Sequence, residues 1–247
     1  MTRSSLRLFL VLSLLTFTLG ADRSPDVTKP PPADDFIILP LRVHVLTGDA
    51  PEVDCKLTDA DVERIVRKAN AVWSVAGVHF GIESIVREPA ARVDEFKKIR
   101  DDNNSIPPLN AFRPLRPDAS RAFDGLHVYY VHKMPVNGVW MGSDFAFVQE
   151  TARLREVEGG IDEPVPRVTS HELGHALGLP HRQDRTNLMA SGTTGTLLNE
   201  DEVKTAREKA VHVKGAVRFG ECAGRADERS RKWAEEVKAI EKAANEK

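Results

Sequence analysis

Apolar positions recur along this chain in two rhythms, and the rhythm changes mark the elements. Phe36–Leu46 is β-rich and apolar, which predicts a buried strand. Thr58 then offers a helix cap, with Asp61 in the first turn. Val62, Ile65, Val66, Ala69, Val72 and Trp73 follow at helical spacing, and Gly77 closes the segment. Val78–Arg87 and Leu126–Val131 read as strands, and Gly138–Val148, with Trp140, Phe145 and Phe147, reads as one more. Between them, residues 88–124 are polar and broken by prolines, with a short helix predicted near Val93–Arg100. This insertion is expected either to wall a cleft or to lie on the surface as a loop. A helix is predicted to open near Pro166, another over residues 200–214, and a last one over Ala226–Asn245. Trp233, Val237, Ile240 and Ala244 form one stripe of that last helix, suited to packing on the domain.

The N-terminus adds a compartment. Arg3 and Arg7 precede a predominantly apolar run, Leu8–Leu19, too short to span a bilayer. Thr18 and Gly20 supply small residues before Ala21. Residues 1–20 are therefore expected to be a cleaved export signal, with no stable membrane insertion and a secreted or periplasmic destination. Residues 21–35, rich in Pro and Asp, are expected as a disordered lead-in, 36–222 as one domain and 223–247 as a charged terminal helix. The formal charge of −2 gives no reason to expect a nucleic-acid partner. Oligomeric state is not legible. Cys55 and Cys222 are the only cysteines; in an exported chain an even count predicts one disulfide between them. Cys55 as a thiolate that caps a metal is the alternative.

Candidate chemistry concentrates in residues 171–181, His-Glu-Leu-Gly-His-Ala-Leu-Gly-Leu-Pro-His. His171 and His175 are four apart, so a helix places both on one face, within reach of one ion. Glu172 stays beside that ion without pointing at it, which suits a general base acting on a water the ion holds. Gly178 can take positive φ and end the helix, so that the chain turns back and delivers His181 as a third ligand. Zinc suits three neutral imidazoles and one open position. His44, His79, His127 and His132 lie in or beside predicted strands and are expected as hydrogen-bonded structural residues rather than a second metal site. His212 is expected on a solvated helix face.

The eleven-residue string resembles the signature of the metzincin metalloproteases. Met189 lies eight residues past His181, in Asn187-Leu188-Met189-Ala190-Ser191-Gly192, and that interval is similar to the matrixin branch. Ser191, where other branches carry a tyrosine ligand, agrees with it. Leu57–Trp73 is similar to the first matrixin helix and Leu198–Val203 to the start of the last. A cysteine-bearing latency motif and a clear set of calcium or second-zinc ligands are not found. The resemblance implies an α+β zincin fold: a twisted, mostly parallel sheet with an antiparallel edge strand, a zinc helix, a Met-turn and a C-terminal helix. It implies one catalytic Zn2+ on His171, His175 and His181, Glu172 as catalytic base, Met189 as an apolar floor, and a peptide or protein substrate along the edge strand. A zinc-site binding protein without turnover, and a zinc hydrolase of non-peptide amides or esters, are the alternatives.

Overall fold

The computed structural model describes residues 24–104 and 106–246; the expected export signal lies outside them. Five strands form one twisted sheet in the order β2-β1-β3-β5-β4. They are β1 (Ile37–Thr47), β2 (Val78–Pro89), β3 (Leu126–Val131), β4 (Gly138–Trp140) and β5 (Phe145–Gln149). β2, β1, β3 and β5 run parallel, and β4 returns antiparallel on β5 as the edge. A two-residue strand, β6 (Val217–Arg218), pairs with the start of β1. The fold is thus the α+β arrangement expected. Gly138–Val148 is a correction: it is a hairpin of two strands, since Gly142 and Ser143 both take positive φ and turn the chain. The edge is therefore β4, and the aromatic β5 lies inside the sheet.

Helix α1 (Asp59–Trp73) begins at a capping box: Thr58 Oγ1 accepts from Asp61 N at 3.1 Å, and Asp61 Oδ2 accepts from Thr58 N at 2.9 Å. It ends in a single 3-10 turn and Gly77. Helix α2 (Val93–Asp102) falls in the insertion, and α3 (Pro164–Ala176) carries the histidine motif. α3 opens two residues ahead of Pro166, which costs nothing because first-turn N–H groups have no helical partner. Trp73 Nε1 donates to Ser170 O at 3.2 Å and pins α1 to α3. Helix α4 (Glu200–Ala210) stops short of the expected end, leaving His212 exposed in the turn beyond it. A short α5 (Phe219–Ala223) precedes α6 (Glu228–Asn245). No helix of the described residues is long and apolar enough to cross a membrane.

The period of two along the strands sorts the core. Leu39, Leu41, Val43 and Val45 of β1 with Val128 and Tyr130 of β3 face α1 and α3. On the opposite face Leu46, Tyr129, Val131, Phe145 and Phe147 meet Phe96, Ala111, Phe112 and Leu115. The last four belong to the 88–124 insertion, which is neither cleft wall nor surface loop: it is the apolar cover of the second sheet face. A sheet buried on both faces needs such a layer. A third cluster sets Trp233, Ala234 and Val237 of α6 against Phe36, Ile38 and Phe219, so the terminal helix packs on the domain.

Two further expectations fail. The lead-in is ordered from residue 24 onward: Val27 N donates to Leu198 O at 2.8 Å, Glu200 N to Pro25 O at 3.0 Å, and Ala33 is buried. Paired backbone and an apolar anchor offset its unfavourable composition. The cysteines are both free and buried. Cys55 N bonds Leu46 O near the end of β1, whereas Cys222 packs with Ile38 near its start. Eight strand residues separate those points by about 26 Å, against the roughly 4.4–6.8 Å between Cα atoms that a disulfide needs. Each thiol instead donates, to Glu150 Oε2 at 3.3 Å and to Ser230 O at 3.2 Å.

The strand histidines are hydrogen-bonded, as expected. His79 Nε2 lies 2.9 Å from Glu236 Oε2 of α6, and His132 Nδ1 2.6 Å from Glu150 Oε1. His44 is fully buried and stacked on Tyr129, with Nδ1 2.7 Å from Glu88 Oε1 and Nε2 2.9 Å from His127 Nδ1. Burial, reinforced by His127, Arg42 and Arg116, pushes His44 from the ordinary 6.5 down to about 3. Between those values the unfolded chain binds a proton that the folded chain refuses. The resulting stability is complete above 6.5 and is lost as pH falls toward 3. Denaturant midpoints should therefore drop on acidification below neutral pH, and less steeply in His44→Gln. Parallel pH profiles for the two proteins would refute this.

Candidate metal centre

His171 and His175 project from one face of α3, and the helix ends one turn later. Gly178 takes φ of 82°, which reverses the chain and brings His181 back. The three rings then surround one point: every pair has ligand atoms within 4.8 Å. Ring centroids are 4.8 Å apart for His171 and His175, 5.2 Å for His171 and His181, and 4.6 Å for His175 and His181. His175 Nε2 and His181 Nε2 are 3.1 Å apart. Nitrogens around a tetrahedral ion at about 2.0–2.1 Å stand roughly 3.3 Å from one another, so this spacing fits a zinc ion.

Proton placement supports the same fit. His171 Nδ1 lies 2.9 Å from Leu188 O, and His175 Nδ1 lies 2.8 Å from Leu179 O. A carbonyl only accepts, so each Nδ1 carries hydrogen and each Nε2 is a bare lone pair aimed at the shared point. Burial, with Arg167 next in order, pushes His171 down to about 3, and burial also lowers His175. Both are thus held in the neutral form that a metal takes. No other cluster of this kind occurs among the described residues.

Glu172 sits on the next face of α3, 5 % exposed. The backbone of Trp140 in the edge strand favours its charged form. Burial pushes Glu172 up to about 8 against the opposing pull of that backbone and of Arg167. A carboxyl group so placed exchanges protons near neutral pH.

Met189 is fully buried beneath α3. A Cβ at residue 174 would stand 2.5 Å from Met189 Sδ, so only glycine at 174 lets the methionine lie against the helix under the histidines. The loop is held from both sides. Glu202, 1 % exposed, accepts from Arg182 Nε at 2.7 Å, Asn187 Nδ2 at 2.7 Å and Asn199 N at 3.0 Å. It thereby couples the residue after His181 to the Met189 turn. Arg167, 2 % exposed, donates from Nε to Gly195 O at 3.0 Å and from Nη2 to Ala190 O at 2.5 Å. The motif does not announce either residue. Arg167 was discoverable as the position one helical turn before His171; Glu202 had only the capping pattern of α4 as a signal.

A cavity of about 740 Å³ opens over the three histidines. It is lined by Gly138, Val139 and Trp140 of β4, by His171, Glu172 and His175 of α3, and by Leu179, Pro180, Ser191 and Gly192 beyond it. The structure thus brings His171, Glu172, His175 and His181 together at one cleft, with Met189 beneath it.

Comparison with known proteins agrees with this geometry. The family profile described as Matrixin (Peptidase_M10) matches residues 46–209. No curated protein matches the chain. Similar solved structures include metalloproteinase-II from Bacteroides fragilis, 11 % identical, with a TM-score of 0.41, 77 % of this chain and 59 % of that one covered. This chain therefore spans less than two thirds of that neighbour's length. Another is a zinc-dependent peptidase from Methanocorpusculum labreanum, 13 % identical, with a TM-score of 0.32, 69 % of this chain and 99 % of that one covered. At those TM-scores the two likenesses add no weight, but the family match spans most of the chain, including every residue of the three-histidine centre. This chain belongs to the matrixin family of zinc metallopeptidases.

Proposed function

We propose that this chain is an exported endopeptidase that binds one zinc ion and cuts internal peptide bonds. One observation carries the reading: three Nε2-type ligands converge beside a buried carboxyl, at the floor of an open cleft flanked by a sheet edge. His171, His175 and His181 would hold the zinc. When bound there, zinc acidifies water and polarises a carbonyl. Glu172 serves as general base, taking a proton from the attacking water and returning it to the departing amine. Among the described residues β4 pairs with β5 alone, which leaves its other edge for an extended peptide backbone. Met189 supplies a dry floor that keeps the imidazoles from tilting. Export rests on Arg3, Arg7 and the apolar run Leu8–Leu19.

Digestion of a mixed peptide library, read by mass spectrometry, tests the proposal. The zinc-loaded chain should cut within peptides and lose this activity to a chelator, and metal analysis should find one ion per chain. Trimming from the termini alone, or activity indifferent to chelation, would overturn it.

A further inference from the structure

His44 of β1 and His127 of β3 are buried with Tyr129 on the sheet face that residues 88–124 cover. With both rings neutral, their contacts fix where each hydrogen sits. His127 Nε2 has Phe123 O at 3.4 Å and Asp144 Oδ2 at 4.0 Å, both acceptors, so it carries the hydrogen and Nδ1 is bare. His44 Nε2, 2.9 Å from that Nδ1, donates to it. His44 Nδ1 is then bare as well, and Glu88 Oε1 stands 2.7 Å from it. Two lone pairs do not approach so closely, so one proton lies between them. Burial favours this count: it raises Glu88 against the pull of Ser120 and Arg42, and it lowers both rings. The chain of bonds joins the two ends of the insertion, Glu88 at its start and Phe123 near its close. The Glu88 side chain is 16 % exposed, which makes it the end open to water. The same residues hold the cleft edge. His127 N donates to Asp144 O at 2.8 Å, and Arg113 of the insertion donates from Nη2 to Met141 O at 2.6 Å. Met141 and Asp144 bracket the turn between β4 and β5.

We propose that Glu88, His44 and His127 form a proton-operated clasp: closed by the one shared proton, it fastens the insertion and the β4–β5 hairpin to the sheet, and it opens when the rings take up protons in acid. A charged ring would lie in the interior beside two cations. Arg42 stands 4.4 Å over the Phe123 ring and Arg116 3.4 Å over Phe145. The nearby acids are already matched, Glu83 by Arg42 at 2.8 Å and Asp144 by Arg116 at 3.8 Å. Tyr129, stacked on His44 at 4.1 Å, brings no charge. Opening lets both rings bind protons at their ordinary 6.5 and releases one from Glu88 at its ordinary 4.5. The histidines therefore favour closure fully above 6.5 and lose that effect as pH falls. Glu88 acts oppositely, favouring closure below 4.5 and losing that effect as pH rises through its raised value. Two rings against one carboxyl leave a net uptake of about one proton, so the open fraction rises about tenfold or more between pH 7 and 5. Loosened, β4 should hold a peptide less well and raise KM; this consequence alone rests on the peptidase reading.

Amide hydrogen exchange, read by mass spectrometry on the full chain saturated with zinc, tests the clasp without any need for turnover. Glu172→Gln serves as the background, so that self-digestion does not intrude. Protection within 88–124 and 138–149, corrected for the intrinsic pH dependence of exchange, should fall about tenfold or more relative to α1 between pH 7 and 5. His127→Gln should flatten that fall. Its amide can accept from His44 Nε2 and donate to Phe123 O, and one ring then opposes one carboxyl. Should that variant fail to fold, long-range nitrogen–proton spectra of the histidines in the background protein decide. His44 and His127 should both carry hydrogen on Nε2, the opposite of His171 and His175. Protection lost in step by α1 and the insertion, protection indifferent to pH, an unchanged slope in His127→Gln, or hydrogen on Nδ1 of either ring at neutral pH would overturn the proposal. Failure of the wild type to cut any peptide would instead count against the peptidase reading and leave the exchange result to decide the clasp.

Discussion

Glu172→Gln should fold, bind zinc as the wild type does, and hydrolyse peptides about 10²–10⁴-fold more slowly. The side chain is not one of the three ligands, so the metal content should be unchanged. Glutamine keeps the volume. What it cannot do is take and return a proton. Burial raises the proton affinity of the native carboxyl, which strengthens it as a proton acceptor. The measurement is kcat/KM on one peptide alongside zinc content for both proteins. A variant within tenfold of the wild type, with equal zinc, would remove Glu172 from the chemistry.

His175→Ala strikes the metal itself. The substitution deletes a ligand whose Nε2 stands 3.1 Å from that of His181, and also the Nδ1–H that donates to Leu179 O at 2.8 Å. That second bond helps hold the turn that presents His181. Loss of a group that merely orients a ligand costs roughly 10–100-fold in metal affinity; loss of the ligand and its turn contact together should exceed a hundredfold. Because zinc binds only the folded chain, the wild type should melt at higher temperature as zinc is added, and the variant should not. Competition with a chromophoric chelator gives the affinity directly. Wild-type affinity in His175→Ala would show that the ion sits elsewhere.

Local chemistry accounts for how well the elements could be read. The Thr58 and Asp61 capping box and the helical spacing from Val62 to Trp73 are contained within a few residues, and α1 formed where they placed it. The same holds for Leu126–Val131, whose apolar run matches β3 at both ends. One departure is local: Gly138–Val148 splits into β4 and β5 at the turn of Gly142 and Ser143, inside a stretch that alternates like a single strand. The others arise where a distant partner decides. The order of residues 24–35 depends on Leu198 and Glu200, and the burial of Phe96 and Phe112 on aromatic residues of β5. The cysteine pairing failed for a related reason: parity of count says nothing about distance.

The sequence by itself determined the candidate ligand set, because His171, His175, Gly178 and His181 are linked by helix periodicity and one glycine turn, both purely local. It also placed the proposed base, by its being next to His171. Tertiary structure alone decided what surrounds them. Glu172 owes its raised proton affinity to burial beneath β4, Met189 its seat to the missing side chain at Gly174, and the loop its anchorage to Arg167 and Glu202. Burial and Coulomb fields are sums over neighbours brought together from remote parts of the chain, and no short string of residues contains them.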